Sequence, residues 1–246
     1  MIDFLTDIDN QLMLLLNSCH NKAFDTFMYW ISTRVVWIPF YVTLLYSLHY
    51  RFGWRTALLV GLIAGLAVAM ADQISATLIR PLVGRLRPSN PDNPISPLVH
   101  IVNGYRGGSY GFPSCHAANT VAVATFLSLV VRVGRFSLCM ICWTILVSYS
   151  RIYLGVHYPG DILAGSVVGI LSGFTTYRIY RFIVSRIRHF RATQRDMRKF
   201  LSNYESQTLS FTGQIEFQVY KRVHPVVSIY TAAVTVLTIA LFTIRI

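Results

Sequence analysis

Charge is scarce in this chain. Asp, Glu, Lys and Arg make up only 13% of the 246 residues, where a soluble domain carries about 25%. Hydrophobic residues make up 54%, and the mean hydropathy is +0.49. This composition excludes an ordinary soluble fold and points to an integral membrane protein. Acids are the scarcest charged group, 10 against 22 Lys and Arg, which leaves a formal charge of +12. Such a balance can signal nucleic-acid binding, but no aromatic-basic platform or recognition helix accompanies it. The basic residues stand at the ends of apolar stretches, as topology signals and an anion site would. Cysteines are also few: Cys19, Cys115, Cys139 and Cys142 form neither a disulfide framework nor a zinc pattern. Cys139 and Cys142 lie inside an apolar run and read as helix packing. No internal repeat is evident, so residues 1–246 read as a single domain.

About 20 apolar residues cross the hydrocarbon of a bilayer. On that measure the sequence predicts an all-α membrane protein with six transmembrane helices, at about 27–50, 55–79, 116–133, 137–154, 160–184 and 224–244. The first residues alternate Ile2, Phe4, Leu5, Ile8, Leu12, Leu15 and Leu16 with Asp3, Asp7, Asp9 and Asn10. They read as an N-terminal amphipathic helix at the interface rather than a signal peptide, which needs a basic leader and a small-residue cleavage site.

Short cytoplasmic loops are enriched in Lys and Arg. Arg51 and Arg55 join the first two spans, Arg132 and Arg135 the third and fourth, and a basic connector at 185–222 follows the fifth. These segments fall on one side, the expected cytoplasm, and the connector could also meet anionic headgroups. Arg80, Arg85, Arg87, Arg106 and Arg151 fall on the other side, against the rule, and anion binding is a reason for them to be there.

Those outer arginines belong to three clusters: Arg80-x6-Arg87-Pro88, then Pro113-Ser114-Cys115-His116, then Ser150-Arg151-x5-His157-x3-Asp161. Each closes or opens a span at the same membrane face. On a continuing helix Arg80 and Arg87, two turns apart, would share a side until Pro88 stops the chain, and guanidiniums suit phosphoryl oxygens. Ser114 is placed as the N-cap of an apolar helix, whose free N–H groups cradle anions. Pro159 and Gly160 allow Asp161 to reach back to His157, a device that holds an imidazole in one tautomer. The loop from Ser89 to Phe112, rich in Pro, Gly, Asn and Ser, carries Tyr105, Arg106 and Tyr110 and reads as a lid contacting substrate. Asp72, an acid inside the second span, reads as an internal helix contact.

The three clusters resemble the signature of the type 2 phosphatidic acid phosphatase family, which includes lipid phosphate phosphatases and vanadium haloperoxidases. The family's pattern is Lys-x6-Arg-Pro, Pro-Ser-Gly-His and Ser-Arg-x5-His-x3-Asp, and the match covers roughly residues 72–165. The resemblance implies that His157 attacks phosphorus to give a phosphohistidine, that Asp161 orients it, and that His116 protonates the leaving group. Arg80, Arg87, Arg151, Ser114 and the backbone N–H of Cys115 would hold the phosphoryl oxygens, with no metal and no cofactor. This sequence departs from the pattern twice: Arg80 replaces Lys, and Cys115 replaces Gly. A cysteine here raises the Cys-x5-Arg phosphatases, but six residues on stands Val121, not arginine. A metal site built from His100, His116, His157 and Asp161 would be opposed by the surrounding arginines.

The resulting expectation is a metal-independent phosphatase in a bacterial inner membrane, its site facing the periplasm and its partner a membrane lipid phosphate rather than a nucleic acid. Undecaprenyl diphosphate or a lipid A phosphate is favoured, and phosphatidylglycerophosphate and phosphatidic acid remain candidates. The alternatives are a lipid phosphotransferase and a non-hydrolytic anion transporter. No role is assigned to the last span at 224–244.

Overall fold

A computed structural model describes residues 2–205 of the chain. The expected span at 224–244 and the end of the connector lie outside the described residues. The described part holds no strand, only an isolated bridge between Leu86 and Tyr110. Its helices are α1 (Ile2–Ser18), α2 (Lys22–Ser32), α3 (Ile38–Phe52), α4 (Trp54–Gln73), α5 (Arg80–Val83), α6 (Cys115–Val131), α7 (Gly134–Tyr153) and α8 (Pro159–Glu205). Three stretches, Trp54–Val83, Gly134–Tyr153 and Pro159–Asp196, are long and apolar enough to cross a membrane. The bent pair α2 and α3 supplies a fourth if taken as one span, and α6 is a shorter apolar helix of 17 residues. The chain is a multi-pass membrane protein.

Three sequence expectations are corrected. The span at 27–50 is not one rod: its two helices meet at 72°. Thr33 leaves helical geometry and donates its hydroxyl to the Trp30 carbonyl, and Pro39 opens α3, so the helical hydrogen bonds are interrupted between them. The helix carrying Arg80 does not continue to Pro88. After α4 the coil widens to a π-helical stretch at Ile74–Ile79, tightens for one turn, and stops at Gly84, whose φ of +59° places it in the left-handed region that glycine enters without strain. Arg87 therefore lies on an extended segment, its N–H donating to the Ser109 carbonyl. The helix of the fifth span does not end with the apolar run at 184, since α8 continues into the basic connector through Arg186, Arg188, Arg191, Arg195 and Arg198.

The core is built around α6, which packs on α4, α7 and most extensively α8. Gly165, Gly169 and Gly173 recur every four residues on α8 and lie against the α6 backbone at Ser114, Ala118 and Ala122. Without hydrophobic drive between helices in lipid, such small residues allow close backbone approach. This contact sets the start of α6 against the start of α8, and thereby His116 near His157. Deeper in the bundle Trp37, Phe40 and Trp143 pack ring on ring, with centroids 5.0–5.8 Å apart, beside Met140 and Phe126.

A side chain on Gly169 would place its Cβ 2.5 Å from the Ala118 carbonyl oxygen. Gly169→Ala is therefore expected to lower the thermal midpoint in detergent, by the equivalent of about 1–3 kcal/mol for an overpacked interface. Gly134→Ala, where nothing lies within 4 Å, is the control and should leave the midpoint unchanged.

Candidate active site

The buried pair His157 and Asp161 forms the centre. His157 lies in the turn before α8 and Asp161 in its first helical turn, where a carboxylate also suits the positive helix end. His157 Nδ1 is 3.2 Å from Asp161 Oδ2, which also accepts from the Tyr158 N–H at 3.0 Å. His157 Nε2 is 3.0 Å from Arg87 Nη1. A guanidinium only donates, so Nε2 is the ring's lone-pair nitrogen and Nδ1 carries the proton toward Asp161. Burial drives His157 well below its ordinary range, and the charges of Arg87, Arg151 and Arg80 add to the effect. The imidazole is thus neutral, with its basic nitrogen turned to the arginines.

Three guanidiniums gather there. Arg87 donates to the Val156 carbonyl at 3.0 Å; burial first, then the charges of Arg151 and Arg80, lower it to about 10, which leaves it charged at neutral pH. Arg80 donates to the Pro113 carbonyl at 3.0 Å and to Cys115 Sγ at 2.8 Å. The two departures from the family pattern therefore touch each other, the cysteine sulfur holding one arm of the arginine. Arg151, 3% exposed, donates to Ser32 Oγ and, at 3.4 Å, to the Tyr105 hydroxyl. None of the three pairs with a carboxylate among the described residues, and each has a buried Nε without a partner. Like charges brought together without counter-charge are costly unless an anion joins them.

Ser114 caps α6, its hydroxyl accepting from the Ala117 N–H, and its own N–H donates to the Asp161 carbonyl at 3.0 Å. The start of α6 is thereby tied to the start of α8. His116 lines a cavity of about 650 Å³ shared with Arg80, Arg87, Cys115, Arg151 and His157. The cavity continues into the bundle past Val68, Val123, Trp37, Trp143 and Val147. It is polar at one end and aromatic and aliphatic at the other, a shape suited to an amphiphile.

The loop candidates divide. Tyr105 reaches the cavity with Gly107 and Gly108; burial raises its hydroxyl, but the charge and hydrogen bond of Arg151 outweigh this and lower it. Arg106 instead pins the loop to itself, donating to the Ser89 carbonyl and to Ser96 Oγ, and Tyr110 is exposed and away from the cavity. Gly111 lies against the His157–Asp161 pair, so that a Cβ there would come 2.9 Å from Asp161 Oδ2. His100 stacks on His20 and pairs with Asp25, so the four residues weighed as a metal site do not converge. Asp72 accepts from Asn119 at 3.1 Å and borders the cavity.

Sequence reasoning passed over Arg34 and Ser32. Both lie at the α2–α3 bend and line the cavity, and Arg34 has no carboxylate partner among the described residues. The signal was available, because an arginine inside an apolar stretch is a functional candidate by its cost alone.

Arginines unpaired with acid, a tautomer-fixed histidine backed by a carboxylate, and a second histidine share one amphiphilic cavity, a set of groups chemically suited to a phosphate ester. The chain belongs to the PAP2 superfamily, whose family model matches residues 58–185. It is 46% identical over 187 residues to a lipid A 4'-phosphatase of Bacteroides thetaiotaomicron, covering 76% of this chain and 83% of that one. A lipid A 4'-phosphatase of Porphyromonas gingivalis is 35% identical, over 75% of this chain and 78% of that one. Among solved structures, the fold is similar to a transmembrane PAP2-type phosphatidylglycerolphosphate phosphatase from Bacillus subtilis. That match has a TM-score of 0.51 at 23% identity and covers 73% of this chain and 87% of that one.

Proposed function

We propose that this membrane lipid phosphatase removes a phosphate from lipid A, acting at the outer face of a bacterial inner membrane. The observation that carries the reading is the set of three acid-free guanidiniums around His157 Nε2, at the polar end of a cavity whose other end is apolar. The identity to two lipid A 4'-phosphatases supports lipid A over undecaprenyl diphosphate. The exposed apolar face of α1, with Phe4, Leu5, Ile8, Leu12 and Leu15 turned outward, supports its placement in the lipid interface beside the site.

In this mechanism Arg80, Arg87 and Arg151, with the Ser114 hydroxyl and the Cys115 N–H, hold the phosphoryl oxygens. Their charge stabilises the phosphoryl group as it transfers. His157 Nε2 attacks phosphorus, and the bond to the ester oxygen breaks as His116 gives that oxygen a proton. Asp161 balances the positive ring through Nδ1–H. Water then attacks the phosphohistidine, its proton passing to His116, and the N–P bond breaks to release inorganic phosphate and neutral His157.

The test is phosphate release by purified protein from lipid A bisphosphate, undecaprenyl diphosphate, phosphatidylglycerophosphate and phosphatidic acid in matched micelles. Release should be fastest from the lipid A phosphate. No release from any of the four would overturn the reading. Transfer of phosphate to an added acceptor lipid, without free phosphate, would make the protein a phosphotransferase. Fastest release from the diphosphate would move the assignment to the prenyl carrier.

A further inference from the structure

The helix α1 lies outside the span matched by the family model, which begins at residue 58, yet it reaches the catalytic pair. Asp9 Oδ2 is 2.7 Å from Arg85 Nη2, and the same guanidinium places Nη1 3.2 Å from Asp161 Oδ1. The other oxygen of Asp9 accepts from the Gly160 N–H at 2.8 Å, at the first turn of α8. Arg85 lies over the Tyr158 ring, 3.8 Å from its centroid, so its plane is fixed between two carboxylates. Asn17 ties α1 down further along, donating to the carbonyls of Ile152 and Tyr153.

We propose that Asp9 is a positioning residue for the phosphoryl-transfer step, acting through Arg85 on Asp161. The inference rests on His157 and Asp161 being the nucleophilic pair. A guanidinium beside a lone carboxylate turns its fork onto both oxygens. If Arg85 did so, it would draw Asp161 Oδ2 away from His157 Nδ1 and weaken the hydrogen bond that fixes the reactive tautomer. Asp9 occupies the other half of the fork. Asp161 is thereby held by one oxygen only, and Oδ2 stays with the imidazole. The Arg85 charge is also shared between two acids, so Asp161 keeps more of its negative charge for the ring that becomes positive when Nε2 attacks. None of these groups belongs to the phosphate cage, so the effect falls on turnover and not on binding.

Asp9→Asn separates charge from shape, since its amide oxygen still accepts from Gly160 while the negative charge that faces Arg85 is gone. In full-length protein acting on the preferred lipid phosphate, kcat should fall about tenfold, short of the roughly 10⁴-fold that follows loss of an orienting carboxylate itself, while KM stays within about twofold. On an Arg85→Gln background the same change should add nothing, because the route through Arg85 is already cut. Arg85→Lys, one point donor in place of a fork, should likewise lower kcat with KM kept, and it serves if Asp9→Asn does not fold. An unchanged kcat in Asp9→Asn, a loss confined to KM, or an Asp9→Asn effect undiminished on the Arg85→Gln background would each overturn the proposal. These results are read against active wild type, whereas a wild type that releases no phosphate would overturn the functional reading instead.

Discussion

His157→Ala is expected to lose phosphate release by about 10⁴-fold or more, the scale on which removal of a covalent nucleophile is felt. No neighbour can replace it. Among the described residues, Nε2 is the only lone-pair nitrogen facing Arg87 at 3.0 Å, and its tautomer is set by Asp161 on the far side of the ring. Cys115, the nucleophile of the rival reading, is engaged as an acceptor for Arg80. The variant should still fold, because the Asp161 carboxylate keeps Arg85 and the Tyr158 N–H as partners. Steady-state phosphate release, with the thermal midpoint measured beside it, checks both parts. Loss of activity with an unchanged midpoint is the expected pair of results.

Arg151→Ala should lower kcat/KM by about 10²–10³-fold, the scale of losing one preorganised charge donor to the transition state. Its guanidinium is buried at the end of α7 and joins three parts of the site: Ser32 at the α2–α3 bend, Tyr105 on the loop, and the cavity. Lysine offers a point charge in place of a planar fork and cannot serve all three, so Arg151→Lys should recover less than about a tenth of the loss. The bend contact could itself matter, and Ser32→Ala isolates it by removing the hydroxyl while keeping the charge. Ser32→Ala should cost far less than Arg151→Ala in the same kinetic assay. Equal losses would assign Arg151 to holding the bend and not to phosphate.

Much of this architecture is legible in the chain because lipid imposes simple rules. Backbone groups must bond within a helix, so the apolar runs around 55–79, 137–154 and 160–184 correspond to α4, α7 and the first half of α8. The convergence of the clusters followed from alternation across the bilayer, which needs only the number of crossings between Arg87, Ser114 and His157. What escaped depends on local geometry that periodicity does not carry. Gly84 was readable as a helix stop but was masked by the even spacing of Arg80 and Arg87. Thr33 and Pro39 gave the bend too little sequence signal against an unbroken hydropathy, and Arg34 was lost with it. The four-residue recurrence of Gly165, Gly169 and Gly173 is a periodic signal, but it does not say which helix the glycine face meets. Arg106 and Tyr110 were chosen for their chemistry, and only the loop's own hydrogen bonds turn them from the cavity. The link from Asp9 to Asp161 joins residues 152 positions apart in the sequence through Arg85, and no local pattern announces it.

The most direct measurement is to quench the protein during turnover of lipid A carrying a radiolabelled phosphate and to map the label on the chain. The expected result is an acid-labile, alkali-stable phosphate on the peptide containing His157, absent in His157→Ala. Label on Cys115, or steady phosphate release with no labelled His157 under conditions that preserve phosphohistidine, would contradict the account.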